Sequence, residues 1–151
     1  MTFEFIFLNL TMDFYREQIL DHWQNPQNFG KLAKADLVVE QINPLCGDEV
    51  TFYFKFQRVK GSKSQSKISD VSFIGRGCAI SIASASILSE VIKGKRVKEL
   101  ERITGEKVLD LIGGPVAPAR LKCAFLPFEV IKKLTLPALT SRMTGRQGID
   151  N

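Results

Sequence analysis

The sequence predicts an α+β fold in which a three-stranded antiparallel sheet is packed by helices in a single compact domain. Between residues 37 and 74 the apolar segments are short and rich in β-branched and aromatic residues, which favours strands. From residue 78 onwards they are longer and rich in Ala, Ser, Ile and Leu, which favours helices. A length of 151 residues, 44% of them hydrophobic and 25% charged, suits one globular domain with its own core.

Three segments are predicted strands: Leu37 to Ile42, Val50 to Gln57 and Ile68 to Ile74. Alternation of apolar and polar side chains is clearest in the second, at "TFYFKF". The stretch "RVKGSKSQSK" that follows contains Gly, Ser and Lys without an apolar face. We therefore expect a long exposed hairpin loop between the second and third strands.

The first helix is predicted from Met12 to about Asn25, before the helix-ending stretch "NPQNFG". Its apolar residues recur at helical spacing and predict a buried stripe of Phe14, Tyr15, Ile19, Leu20 and Trp23. The segment "CAISIASASILSEVIKGK" is long enough for four turns of a second helix and contains Gly94 near its end. Cys78 therefore lies at a predicted helix N-terminus.

The last third of the chain is also predicted to be helical. Residues 97–112 hold two short helical pieces that are split near Thr104 and Gly105, and "GGPVAP" forms a loop after them. A last helix runs from about Ala119 to Lys133. Pro127 lies inside it and predicts a start or a kink, because proline lacks the N–H that a helix interior needs.

The predicted folded domain covers residues 12–135, between an N-terminal extension at 1–11 and a flexible C-terminal tail at 136–151. The opening "MTFEFIFLNLT" carries Glu4, lacks a basic region and is shorter than the ~20 residues of a membrane helix. It predicts neither a signal peptide nor a membrane span. A misassigned start before Met12 and an extra edge strand both account for it.

The net charge of +5 and the pI near 9.2 permit contact with acidic partners. The basic residues, however, are spread over the hairpin loop, residues 93–98 and the last helix. No zinc-finger spacing, aromatic RNA-binding signature or helix-turn-helix pattern accompanies them. We therefore expect solvated faces, with neither nucleic acid nor membrane as a partner.

The three cysteines, separated by 32 and 45 residues, do not resemble a disulfide framework. An odd number of this kind favours a reduced, cytoplasmic compartment. Each cysteine is predicted near the start of a secondary-structure element. Cys46 lies on the turn into a strand, Cys78 on a strand-to-helix turn, and Cys123 in the first turns of a helix. The three loops can converge at one end of the sheet and form a shared site. The alternative is that each is buried as a small hydrophobic residue.

Cys46 is followed two residues later by Asp48, on the turn "NPLCGDEV". Aspartate at such a position is also a common turn former that hydrogen-bonds its own backbone. At a predicted helix N-terminus, Cys78 is expected to face the positive end of the helix dipole, which favours a thiolate. The charged residues next to Cys123 in sequence are Arg120 and Lys122.

Four motifs, taken in order, resemble the IscU/SufU/NifU N-terminal family of iron–sulfur cluster assembly proteins. They are "ILDHWQNPQNFG", "NPLCGDE", "GRGCAISIASAS…EVIKGK" and "PARLKCAFLPFEVIKK". The resemblance covers about residues 13–134. It implies an assembly scaffold that accepts persulfide sulfur from a cysteine desulfurase, forms a labile [2Fe–2S] cluster and passes cluster or sulfur to apo iron–sulfur proteins.

Carried over motif by motif, the resemblance implies that Cys46, Asp48, Cys78 and Cys123 bind the metal or cluster and that Cys123 accepts the persulfide. Thiolates suit zinc and iron, and a carboxylate completes the shell more labilely than a fourth thiolate would. Iron or Zn²⁺ in the resting state is then expected. Two alternatives stay open: a zinc-dependent sulfurtransferase of the SufU type, and a structural zinc-binding interaction domain.

The sequence departs from the IscU pattern immediately before the last cysteine. IscU proteins have a histidine there, whereas this chain has Lys122, and a protonated lysine cannot bind metal. Lys122 and "ASAS" resemble the SufU branch. The 45-residue gap between the second and third cysteines instead resembles IscU, since SufU proteins usually carry an insertion there.

His22, the only histidine, is predicted to have a surface or capping role rather than to bind metal. Trp23 and Phe29 are predicted packing residues. The Ala/Ser face of residues 79–86 predicts close helix packing rather than serine catalysis, because no histidine base or acid partner accompanies those serines in the sequence.

Overall fold

The computed structural model describes residues 16–57, 66–114 and 116–136. Strands β1 (Leu37–Ile42), β2 (Glu49–Gln57) and β3 (Lys67–Arg76) form one sheet in the order β1-β2-β3. Both strand pairs are antiparallel. The predicted α+β class and all three predicted strands are confirmed, although β3 begins one residue earlier and ends two residues later than expected. Residues 58–65 of the predicted hairpin loop lie outside the described part of the chain.

The middle strand supplies the centre of the core. Val50, Phe52 and Phe54 alternate along β2 and are fully buried. The Phe52 ring stacks on Phe54 and, across the strand pair, on Phe73, with centroids 5.9 and 5.5 Å apart. Alternation puts these side chains on one face of the sheet, which the helices cover.

The helices follow the predicted order along the chain. They are α1 (residues 16–24), α2 (Ala79–Ile92), α3 (Gly105–Ile112) and α4 (Leu121–Leu134), with short 3-10 helices at Val97–Arg102 and Pro118–Arg120. The split near Thr104 is confirmed, because the Thr104 side chain accepts a hydrogen bond from Lys107 N and caps α3. Helix α4 begins two residues later than expected, after the 3-10 turn. Pro127 does not start α4 but lies inside it.

Helix α2 packs between β3 and α4 and is buried almost all round. The structure buries every serine of this helix completely and gives each a hydrogen-bond partner: Ser81, Ser84, Ser86 and Ser89. Ser84 Oγ, for example, donates to the carbonyl oxygen of Ala124 on α4 at 2.7 Å. The predicted close-packing role of the Ala/Ser face is confirmed.

The predicted buried stripe of the first helix is partly wrong, and its members Phe14 and Tyr15 lie outside the described residues. Ile19 is buried, but the side chains of Leu20 and Trp23 remain 46% and 45% exposed. Phe29 is also half exposed, although its ring edge contacts Phe73 with centroids 5.3 Å apart. Periodicity shows which residues share a helix face, and here only part of that face meets α2 and α3.

None of the described helices combines the length and apolarity needed to cross a membrane. The predicted extension at residues 1–11 lies outside the described residues. The same holds for the predicted C-terminal tail, apart from Leu136.

Candidate metal centre

The turn between β1 and β2 presents Cys46 and Asp48. Two backbone hydrogen bonds close it, from Asn43 N to Asp48 O at 2.8 Å and from Gly47 N to Asn43 O at 2.9 Å. Gly47 adopts φ = 76°, a left-handed conformation that glycine reaches without a Cβ penalty. Glycine between the two candidate ligands therefore lets the chain reverse within this short turn.

Asn43 fixes the turn from inside. Its side chain is 6% exposed, and its Oδ1 accepts a hydrogen bond from Leu45 N at 3.1 Å. In this turn conformation the two ligand candidates differ in exposure: Cys46 lies on the surface and Asp48 is buried. Sequence reasoning did not single out Asn43, although Asn at the start of a turn is a known signal for such a bond.

Cys78 is the N-cap residue of α2, as the sequence predicted. Its own side chain makes no capping bond, but the Asp48 carboxylate lies close to its backbone, which helps to lower the pKa of that carboxyl. An aspartate from the β1–β2 turn thus lies at the N-terminus of α2, where a negative charge is favourable. Asp48 is therefore more than a local turn former.

Cys123 lies in the first turn of α4, directly after the 3-10 turn, and is 4% exposed. Its Sγ, the Sγ of Cys46 and a carboxylate oxygen of Asp48 all lie within 4.8 Å of one another. Cys78 is outside that mutual distance, but its Sγ lies 3.3 Å from Ser81 Oγ, which itself lies 2.8 Å from Oδ2 of Asp48. The structure thus brings all four candidate ligands to one place.

The environment acts in opposite directions on the two buried ligand candidates. Burial raises the pKa of Asp48, but hydrogen bonds from the Ser81 side chain, the Cys123 thiol, the Cys78 backbone and the Cys46 thiol outweigh it, so that the pKa lies below its usual value. Burial, the neighbouring Cys78 and the Asp48 charge raise the pKa of Cys123 to about 12. Without metal, the carboxylate is thus ionised and the Cys123 thiol protonated at neutral pH.

This donor set fits a thiophilic cation. Three sulfurs and one carboxylate suit tetrahedral zinc or iron, whereas magnesium and calcium prefer oxygen ligands alone. Because Cys46 is exposed and Cys78 half-buried, the centre is open to solvent on their side and closed on the side of Cys123. An accessible centre of this kind suits exchange better than a closed structural zinc site does.

Residues 14–137 match the protein-family model described as NifU-like N terminal domain. The chain belongs to this family. All four candidate ligands lie inside the matched range, and the resemblance noted from the four motifs is confirmed.

Relatives in this family include both branches. An iron–sulfur cluster assembly scaffold protein IscU 1 of Archaeoglobus fulgidus is 34% identical over 119 residues, which cover 79% of this chain and 72% of that protein. The zinc-dependent sulfurtransferase SufU of Bacillus subtilis is 33% identical over 136 residues, covering 79% and 87%. Both alignments use the same share of this chain, so the longer one contains residues that SufU has and this chain lacks.

Solved structures support the fold. FiSufU of Fervidobacterium islandicum is 30% identical, covers 78% of this chain and 93% of its own, and superposes with a TM-score of 0.61. The N-terminal part of a NifU-like protein from Brucella abortus, 22% identical, covers 87% and 94% with a TM-score of 0.60. At that lower identity the likeness concerns the fold alone.

Two further sequence-predicted residues lie outside the ligand group. Lys122 is exposed, as a solvated cation should be. His22 is half-buried, and its Nδ1 lies 2.7 Å from Ser86 Oγ, so the predicted surface position is only partly confirmed and a contact with α2 is added. The reasoning that no histidine accompanies the serines was wrong. Ser86 is nevertheless fully buried, which excludes a substrate from this pair and leaves it a packing contact.

Proposed function

We propose that this NifU-like domain assembles iron–sulfur clusters, as a scaffold that accepts sulfur and passes cluster or sulfur to apo-proteins. One observation carries the proposal: the ligand atoms of Cys46, Asp48 and Cys123 lie within 4.8 Å of one another, beside Cys78, on an accessible side of the domain. The names of the IscU relatives support the same role.

In this proposal the four residues Cys46, Asp48, Cys78 and Cys123 hold the cargo, a labile [2Fe–2S] cluster or iron. A resident Zn²⁺ would take the same ligands in the resting state and keep the thiols in their thiolate form. Asp48 supplies a hard oxygen to a soft site, and such a ligand exchanges more readily than a thiolate. The mixed set therefore favours release over permanent storage.

Sulfur reaches the site as a persulfide on a cysteine desulfurase. The accepting thiolate attacks the outer sulfur of the desulfurase persulfide, the S–S bond of the donor breaks, and the donor leaves as a thiolate. We place the stored persulfide on Cys123, as the family resemblance implies. Because Cys123 is buried and Cys46 exposed, we infer that a desulfurase meets Cys46 first and that the sulfur then moves to Cys123 by the same exchange.

This order is tested by mapping the persulfide with mass spectrometry after incubation with a desulfurase and cysteine. Cys123→Ser should leave the persulfide on Cys46. Cys46→Ser should lose it from both positions. Full persulfide on Cys123 in the Cys46→Ser protein would show that Cys123 is reached directly.

The second candidate function is a zinc-dependent sulfurtransferase that holds no cluster. The exposed Lys122 favours it, since this residue cannot act as the extra ligand that a histidine supplies in the IscU pattern. The zinc-dependent sulfurtransferase SufU of Bacillus subtilis, 33% identical to this chain, supports the same candidate. Zinc on the same four residues would protect the thiols until a desulfurase binds.

The two functions are separated by metal analysis and absorption spectra of protein purified without oxygen, before and after incubation with iron, cysteine and a desulfurase. Visible charge-transfer bands with stoichiometric iron support the scaffold. A colourless protein that keeps one tightly bound zinc and still takes up sulfur supports the sulfurtransferase. Failure to take up either sulfur or cluster would refute both.

A purely structural zinc domain is the least consistent with the fold. The core cluster of apolar residues includes none of the four ligand candidates, so the domain does not need an ion to build its core. Structural zinc sites in small domains, in contrast, supply the folding energy. All three cysteines are free thiols, which supports a reducing, cytoplasmic environment as part of the proposal.

A further inference from the structure

A fully buried hydroxyl lies directly behind the candidate metal centre. Ser81 Oγ donates a 2.8 Å hydrogen bond to Oδ2 of Asp48, and neither residue is near the other in sequence. We propose that Ser81 is a positioning residue that fixes the Asp48 carboxylate and thereby sets how tightly the centre holds metal. The inference rests on the proposed function in one respect, namely that Asp48 is a ligand.

The hydrogen of Ser81 has one favourable acceptor. The backbone oxygen of Cys78 lies 3.3 Å from the hydroxyl, but the carboxylate oxygen is closer and charged, and hydrogen bonds to a charged acceptor are the stronger ones. Ser81 Oγ also lies 3.3 Å from the Sγ of Cys78. One hydroxyl therefore contacts two of the four candidate ligands.

The donors around Asp48 differ in what happens to them when metal binds. The Asp48 carboxylate lies beside the thiols of Cys46 and Cys123 as well as the Ser81 hydroxyl. A thiolate that binds metal has no hydrogen to donate. The Ser81 hydroxyl keeps its hydrogen and can still orient the carboxylate.

The packing around Ser81 leaves its side chain little freedom. Ser81 is 0% exposed, and a Cβ added at Gly77 would lie 2.7 Å from Ser81 Oγ and 2.9 Å from Asp48 Cγ. Gly77 thus lies against both members of the hydrogen-bonded pair and leaves no room between them for a side chain of its own. A hydroxyl confined in this way can hold the carboxylate in one orientation.

Partners that orient a metal ligand typically change metal affinity by about 10- to 100-fold when they are removed. We therefore expect Ser81→Ala to weaken zinc binding by about this factor. The substitution removes one oxygen from a helix, and alanine is the best helix former, so the domain should keep its fold. Circular dichroism of the metal-free protein checks this.

The test is a double-mutant cycle with zinc alone as the ligand. Zinc affinity is measured by competition with a coloured chelator for the wild type, Ser81→Ala, Asp48→Ala and the double variant. The Ser81→Ala change should weaken binding by about 10- to 100-fold in the wild type. In the Asp48→Ala background it should change binding by less than about twofold, because the carboxylate through which Ser81 acts is absent.

The absorption spectrum of bound Co²⁺ is a second measurement, and a general loss of stability would not change it. The visible bands of bound Co²⁺ depend on its ligands, so Ser81→Ala should shift them in the wild type but not in the Asp48→Ala background. Ser89→Ala is the matched control, since Ser89 is an equally buried serine two helical turns further along α2. It should leave both zinc affinity and the cobalt spectrum unchanged.

The outcomes separate this inference from the proposed function. An equal loss of affinity in both backgrounds, an equal loss in Ser89→Ala, or no loss in Ser81→Ala would each overturn the role of Ser81 while leaving the metal centre in place. A wild-type protein that binds no metal would overturn the ligand set, and with it both proposals.

Discussion

Gly77 and Asp48 lie so close together that a methyl group at position 77 would come within 2.9 Å of the Asp48 Cγ. Real Cβ atoms essentially never approach another heavy atom at this distance, so either the carboxylate or the backbone would have to move. Glycine is therefore needed before Cys78 because a side chain would clash with Asp48, and not because the backbone is left-handed there.

We predict that Gly77→Ala lowers the free energy of unfolding by about 1–3 kcal/mol, as overpacking commonly does, and weakens zinc binding. Denaturant unfolding and chelator competition measure the two effects. Gly105→Ala is the control, because a Cβ there would meet only the Phe125 ring at 3.5 Å. That variant should be neutral or more stable by about 0.4–1 kcal/mol, with unchanged zinc affinity. Wild-type behaviour of Gly77→Ala would contradict the close contact.

The three thiols should react with iodoacetamide at different rates in the metal-free protein at neutral pH. Cys46 is exposed and should react first, whereas Cys123 is 4% exposed and has a pKa raised to about 12 by burial and its neighbours, so it should react last. Mass spectrometry of digested samples over time gives the order. Prior addition of zinc should protect all three, and early modification of Cys123 would show that the centre opens more than the structure indicates.

Lys122→Ala should leave metal stoichiometry unchanged, because four ligand candidates exist without it. It should slow sulfur uptake from a desulfurase, since an exposed cation next to Cys123 can attract an anionic persulfide or carboxylates of a partner. The slowing should shrink as salt is added, because salt screens exposed charges. Lys98→Ala, an exposed lysine of the 3-10 helix at Val97–Arg102, is the control. Loss of metal in Lys122→Ala with an intact fold would refute the ligand set.

His22→Ala should destabilise the domain by about 0.5–1.5 kcal/mol, because the fully buried hydroxyl of Ser86 loses its histidine partner but keeps the hydrogen bond from Gln27 N. Zinc affinity should not change, since His22 contacts α2 rather than the ligand group. Thermal unfolding of the metal-free protein and chelator competition give the two values. A protein that keeps its stability but loses zinc would make His22 a ligand after all.

The sequence identified the strands, the helix order and the positions of all three cysteines, because alternation, helix caps and glycine or proline turns are local signals. Cys78 at the helix N-terminus is an example, since the glycines before it and the Ala/Ser segment after it determine its position. That Cys78, Cys123 and the Cys46 turn meet was a hypothesis from their similar predicted positions and from the family motifs. The structure places them together.

The contacts made through Ser81 and Ser86 were not predictable in this way. Both serines belong to a segment whose composition indicates close packing, but composition does not show which partner each hydroxyl meets. The partners come from the β1–β2 turn and from α1, tens of residues away in the chain. The exposed rings of Trp23 and Phe29 were missed for the related reason that a pattern does not show whether a face is covered.

The ligand candidates come from three distant segments: the β1–β2 turn, the start of α2 and the start of α4. An unfolded chain holds these segments apart, so an ion that needs all of them binds the folded state alone. Free zinc then shifts the folding equilibrium, by about 2.7 kcal/mol when its concentration is a hundred times the dissociation constant. The melting temperature then reports how much of the metal centre is occupied. The domain folds without metal but is least stable, and most exposed to proteolysis, just after it has delivered its cargo.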